Sequence, residues 1–207
     1  MPFYFLLTLL RRDSSLSALR YFRYLYQAYC SKPEHERDFY RQIRHAACTK
    51  NRSPVTQIVE IGVGKAERAV RLIHFAQQYA DQATIEYVGI DMFEGRPEQD
   101  GLKLKEAHKL LSSTGAKVKL VPGDAMMALP RVANSLADSD LIIIAEDQDR
   151  ASVEAAWSWI PRMMNATSLL YWESKQEAEK PEESTWSFEK LDLQAVSETT
   201  DQQKRAA

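Results

Sequence analysis

From Val55 onward, apolar residues come in short runs separated by longer stretches with helical spacing. Runs at about 55–61, 84–90, 117–121, 140–145 and 166–172 are the length of strands. Lys117-Val-Lys-Leu-Val121 alternates with period two. Asp140-Leu-Ile-Ile-Ile-Ala145 is apolar without a break, as a parallel strand covered on both faces should be. The spacing predicts helices at about 65–80, 98–113 and 150–160, with a short helix opening at Asp124 and Gly115 as a C-cap. Strands that alternate with helices predict βαβ units, a parallel sheet and right-handed crossovers. Trp186 to Val196 alternates moderately and offers one further strand. The expected class is α/β, a doubly wound, mostly parallel sheet of about six strands.

Before Val55 the pattern is different. Asp13-Ser14-Ser15 offers N-caps for a helix to about Tyr29, with Leu19, Phe22, Tyr26 and Tyr29 on one face. A second, strongly charged helix runs from Pro33 to about Cys48. Asn51-Arg52-Ser53-Pro54 reads as a linker. Three regions follow: an N-terminal helical extension or cap at 1–54, a main domain at 55–196 and a disordered tail at 197–207. Pro2 to Leu10 is nearly all apolar and is followed by Arg11-Arg12. It is too short to span a bilayer, which takes about 20 residues, and its charges lie on the wrong side for a secretory signal. Two readings stay open for residues 2–12. One is packing on the domain or on a second subunit, which would give a homodimer. The other is peripheral membrane contact with the arginines at the headgroups.

Composition narrows the class. The apolar share of 44% and charged share of 27% suit a soluble globular protein. A net charge of −2 excludes steering of nucleic acid by the whole protein, and no nucleic-acid partner is expected. The charge is uneven: residues 1–52 carry ten Lys/Arg against four Asp/Glu, and residues 173–207 carry five against nine. Cys30 and Cys48 form no metal or redox motif and fit a reducing cytoplasm, although a disulfide between them stays open. His35 and His45 have no partners at ligand spacing and read as surface or packing residues, and His74, inside the helix at 65–80, reads as a packing residue.

The candidate chemistry centres on Glu60-Ile61-Gly62-Val63-Gly64-Lys65-Ala66, which follows the first strand and opens the first helix of the sheet. Two glycines at this spacing allow a sharp turn and close approach of a ligand. A dinucleotide fingerprint would continue to a third glycine, with an acid about 20 positions on. Here that glycine position is Glu67, and the acid ending the second strand, Asp91, lies 29 positions after Gly62. A carboxylate in the first helical turn would repel a pyrophosphate, so the expected ligand is a nucleoside without phosphates.

Glu-x-Gly-x-Gly, Asp91 ending the second strand and Gly123-Asp124-Ala125 after the third resemble motifs I to III of class I S-adenosylmethionine-dependent methyltransferases. The resemblance covers about 55–175 and implies a Rossmann-like fold and S-adenosyl-L-methionine as cofactor. It gives Asp91 to the ribose hydroxyls and lets Gly62 and Gly64 pass under the cofactor. Glu60 would sit near the methionine end or brace the loop. Asp124 would accept from the adenine amino group, with Ala125 offering its N–H; a plain helix N-cap is the other reading of Asp124. Met92 and Phe93 would cover the adenosine, Phe93 being equally suited to the core.

The loop Asp91-Met92-Phe93-Glu94-Gly95 further resembles the macrocin O-methyltransferase-like group. That group holds a divalent metal with an Asp-Gly-Asp after strand four and an Asp after strand five. Here Ala145-Glu146-Asp147 and Glu173 stand there, with Glu146 beside the cofactor. One ligand is lost and another lengthened, so no metal ligands are assigned, and a divalent metal stays open only as the lesser reading. The expected function is methyl transfer to an oxygen or nitrogen of a small-molecule acceptor, with Asp147 and Glu173, or the extra acid Asp149, as candidate bases. The alternative is a non-catalytic cofactor-binding or scaffold protein. It is motivated by Ala145, by Asn165-Ala166 where paired glycines are usual, and by the short C-terminal edge.

Overall fold

A computed structural model describes residues 34–48, 54–80, 83–96, 101–176 and 185–191. The apolar N-terminus, the aromatic helix face at 19–29, Cys30, the loop at 97–100, residues 177–184 and the tail lie outside the described residues. The chain divides into two compact units, Met1–Arg44 and His45–Ala207. Helix α1, Glu34–Cys48, carries acids in its first turn, as its N-terminal dipole favours. Phe39, Tyr40 and Ile43 on it are buried.

The second unit holds a six-stranded sheet in the order β3-β2-β1-β4-β5-β6. The strands are β1 (Gln57–Ile61), β2 (Glu86–Asp91), β3 (Lys117–Pro122), β4 (Leu141–Ile144), β5 (Leu169–Gln176) and β6 (Thr185–Leu191). The first five are parallel and β6 pairs antiparallel with β5. The helices are α2 (Glu67–Gln77), α3 (Leu104–Ser112), α4 (Ala125–Val132), α5 (Arg150–Ala155) and α6 (Ile160–Met163). The expected doubly wound sheet is therefore present, and its strand order reverses between β1 and β4. Ligands of open α/β sheets bind at the carboxyl ends beside such a reversal.

Side chains alternate between the two faces of each strand. Val59, Ile61, Ile142 and Ile144 point to one face and pack with Ala128, Leu129, Ile160 and Met163 of α4 and α6. Ile58, Glu60, Tyr87 and Ile143, all fully buried, belong to the other face. Truncating one of these isoleucines to Ala should cost about 2–5 kcal/mol. Trp157 and Trp172 stack at 5.5 Å on the α4–α6 side, and Trp172 is partly buried there. Gly89 in β2 is required for space: a Cβ there would stand 2.7 Å from Cγ2 of Val63. Val63 of the glycine loop thus fits into a gap in the sheet.

Several boundaries differ from expectation. The expected helix at 150–160 is broken into α5, a 3₁₀ turn at Trp157–Trp159 and α6. The break falls at Ala156 (φ −89°, ψ 0°), just ahead of Pro161, which occupies the first turn of α6 as proline prefers. β5 runs on to Gln176, because β6 supplies a partner along its whole length. α3 ends at Ser112, with Gly115 three residues beyond in the left-handed region. His74, expected to pack, is instead exposed on the outer face of α2 and lies 3.2 Å from Gln77. No helix among the described residues is long and apolar enough to cross a membrane.

Candidate functional site

The carboxyl ends of β1, β2 and β4 are tied together through the loops that leave them. Gly62 N–H donates to Ile90 O at 2.8 Å, Ala145 N–H to Ile61 O at 2.8 Å and Gly123 N–H to Asp91 O at 2.9 Å. Gly62 is the tightest point. Its φ is +97°, and a Cβ there would meet Cβ of Ala145 at 2.5 Å and Oδ1 of Asp147 at 2.9 Å. Two independent facts, conformation and space, therefore demand glycine. Gly64 (φ 54°) and Ala66 (φ 58°) are also left-handed, and Ala66 is the N-cap of α2.

Asp91 ends β2 and is 1% exposed. Its Oδ2 accepts from the N–H groups of Val63 (2.7 Å) and Gly64 (2.8 Å). Its Oδ1 accepts from Phe93 N–H at 2.9 Å. Arg96 then closes on both oxygens, Nε to Oδ1 at 2.7 Å and Nη2 to Oδ2 at 2.5 Å. Burial pushes this carboxyl upward, but Arg96 and the amides of Gly64 and Phe93 outweigh it and leave the group below the usual carboxylate range. The expected carboxylate is in place, but it is already fully partnered.

Arg96 has a third contact. Its Nη1 donates to Oδ2 of Asp147 at 2.5 Å. Asp147 is 43% exposed in its side chain and Arg96 13%. The stem of Arg96 lies beside Gly101, where a Cβ would be 3.3 Å from Cδ. Leu102 N–H donates to Gly64 O at 3.1 Å, so this segment lies against the glycine loop.

A second arginine cluster sits deeper. Arg68, in the first turn of α2, donates Nε to Glu60 at 2.7 Å, Nη1 to Glu173 at 2.5 Å and Nη2 to Gly62 O at 3.2 Å. Tyr87 O–H donates to the other oxygen of Glu60 at 2.5 Å. Burial raises the Glu60 carboxyl above its ordinary value, against the pull of Arg68 and Tyr87. Burial also works against the charge of Arg68, but Glu60 and Glu173 more than offset it, so Arg68 stays protonated. Glu60 is thus linked to the glycine loop through Arg68, which also donates to Gly62 O.

The other sequence-predicted residues have these places. Asp124 is the N-cap of α4, its Oδ1 accepting from Met127 N–H at 2.7 Å. Ala125 is buried. Asp149 is the N-cap of α5, accepting from Ser152 N–H at 3.0 Å. Phe93 is buried with φ 49°, while Met92 is 40% exposed at the rim. Met126 and Met127 at the start of α4 are exposed. Glu146 N–H donates to Glu173 at 3.4 Å. Among the described residues no group of three or more His, Cys, Asp or Glu is disposed to hold a metal ion.

Arg68 and Arg96 were not legible as site residues from spacing alone. Arg68 had one signal: four residues before Leu72, it falls on the buried face of α2 with Ala69, Leu72 and Ile73. A charge on that stripe needs a partner.

No protein-family model matches the chain, and no curated protein matches it at a significant level. Solved structures do. The apo form of CalS11, a TDP-rhamnose 3′-O-methyltransferase of calicheamicin biosynthesis, matches with a TM-score of 0.50 and 12% identity over 92% of this chain and 86% of that one. The chain shares the Rossmann-like α/β fold of that protein. Mitomycin 7-O-methyltransferase MmcR matches at a TM-score of 0.43 and 19% identity over 70% of this chain. The present chain spans only 38% of the length of MmcR. The methyltransferase CalH, solved with S-adenosylhomocysteine, matches at 0.44 and 16% identity, covering 83% of this chain and 42% of that one. At these identities the likeness concerns the fold.

Proposed function

We propose that the protein is an S-adenosylmethionine-dependent methyltransferase acting on an oxygen or nitrogen of a small-molecule acceptor. The observation that carries this reading is the arrangement of Gly62, Gly64 and Asp91. Two left-handed glycines bring the backbone under the switch point of the sheet, and a buried carboxylate at the end of β2 faces them. A carboxylate suits a pair of adjacent hydroxyls, each of which can donate to one oxygen. The exposed thioethers of Met92, beside Gly95, and of Met127, beside Gly123, suit the face of a purine. The Rossmann-like fold shared with CalS11 supports the same reading.

Bound there, S-adenosylmethionine would supply a methyl group on a sulfonium, ready for in-line displacement. The chain's own task is positioning. Gly62 and Gly64 let the loop pass close, Asp91 would hold the ribose, and Asp124 keeps α4 capped beside Gly123. The cytoplasm is the compartment we propose, from the two thiols outside any framework. Titration of S-adenosylhomocysteine into the protein should give micromolar binding, and Asp91→Ala should weaken it more than tenfold, roughly 1.4 kcal/mol or more. Binding unchanged in Asp91→Ala would remove Asp91 from the site.

One observation favours a second reading, a protein that binds the cofactor without turnover. Two of the three candidate bases are engaged by guanidinium groups, Asp147 by Arg96 and Glu173 by Arg68, and the third, Asp149, caps α5. Each ion-paired base would have to leave its guanidinium before taking a proton from an acceptor. Binding with no transfer to any acceptor would favour this reading.

A further inference from the structure

Three hydrogen-bonded amides and both arms of a guanidinium saturate Asp91. A ribose diol and Arg96 would therefore compete for the same two oxygens. The amides come from the loop backbone and are fixed, so Arg96 is the partner that must give way. It has somewhere to go. Its Nη1 is already on Asp147, whose side chain is far more exposed than Asp91.

We infer that Arg96 occupies the diol carboxylate as a built-in competitor, and that Asp147 is the counter-ion that keeps it when a nucleoside arrives. This rests on the cofactor reading and assigns Asp147 a positioning role in place of proton transfer. The apparent affinity for the cofactor is then the intrinsic affinity reduced by the fraction of molecules in which Arg96 has left Asp91. The fork geometry matters: a lysine keeps the charge and loses the bidentate grip. Removal of Arg96 leaves Asp91 with the N–H groups of Val63, Gly64 and Phe93, so the variant retains hydrogen bonds to both oxygens.

The test is a double-mutant cycle read by titration calorimetry with S-adenosylhomocysteine, with thermal melting as the check on folding. Arg96→Met should bind about tenfold more tightly than the wild type, and Arg96→Lys should fall between them. Asp147→Asn should bind several-fold more weakly, because the displaced Arg96 has lost its counter-ion. In the Arg96→Met background Asp147→Asn should have no effect, since nothing is left to receive. An Asp147→Asn loss of the same size in both backgrounds would mean that Asp147 touches the ligand, and would overturn the inference. So would wild-type binding that Arg96→Met leaves unchanged or weakens, with the cofactor reading intact. No binding to any of the four proteins at millimolar ligand would instead sink the cofactor reading, and this inference with it. Binding to Arg96→Met alone would support both.

Discussion

Two arginines at the carboxyl edge of one sheet each bridge two carboxylates, and burial makes them different devices. Arg68 links Glu60 and Glu173, and Glu60 has no exposed side-chain surface. Arg96 links Asp91 and Asp147, and one end of that bridge stands in solvent. A fully buried pair is costly to break, because the remaining charge has no water to turn to. A pair with an exposed end can exchange partners cheaply. The same chemistry thus acts as a brace at Arg68 and as an exchangeable contact at Arg96.

The sharpest way to break this contrast is Arg68→Met. It should cost about 3–5 kcal/mol in urea denaturation, since it strands Glu60. A loss below about 1 kcal/mol would make the two clusters equivalent. Next comes Gly62→Ala, which forces a Cβ to 2.5 Å from Cβ of Ala145 at a φ of +97°. It should destabilise by about 2–3 kcal/mol. Arg96→Met should cost only about 1 kcal/mol, as Asp91 keeps its amide donors.

Acid sharpens the contrast further, because the two buried carboxyls shift in opposite directions. Asp91 is depressed, so its contribution is present above the unfolded value of about 3.9 and lost as pH falls through the lower folded value. Glu60 is raised, so its contribution is complete below about 4.3 and declines as pH rises through the folded value. Stability measured against pH should show the gap between wild type and Asp91→Asn closing in acid. The gap for Glu60→Gln should move the other way. The smallest effect belongs to a control outside both clusters. Lys117→Ala removes an exposed pair with Glu86 and should change stability by less than about 0.5 kcal/mol.

The sheet was legible because it depends on local rules. Ile142 and Ile143 lie in an apolar run of strand length, and Gly62 and Gly64 have the spacing of a turn with close approach. Asp91 was legible because it ends an apolar run. Arg96 was not, since what it does depends on Asp147, 51 residues away. The reach of Arg68 to Glu173 spans 105 residues and is equally invisible to spacing. That Asp149 caps α5 was not legible either, because an N-cap and a free acid look alike until the helix start is fixed. The broken helix after Asp149 was missed because Pro161 sits at a position where a new helix can begin as easily as an old one can end.

Glu173 and Trp172 are neighbours on β5 and so project from opposite faces of the sheet. Glu173 meets Arg68 behind the glycine loop, while Trp172 stacks on Trp157 beneath α5. The indole pair is thus one residue removed from the Glu173–Arg68 contact and on the opposite face of the sheet. A strand that shifts to follow Arg68 would alter the distance between the two rings. The protein carries an intrinsic optical gauge on the α4–α6 face of its sheet, one that would register a shift of β5 without a label.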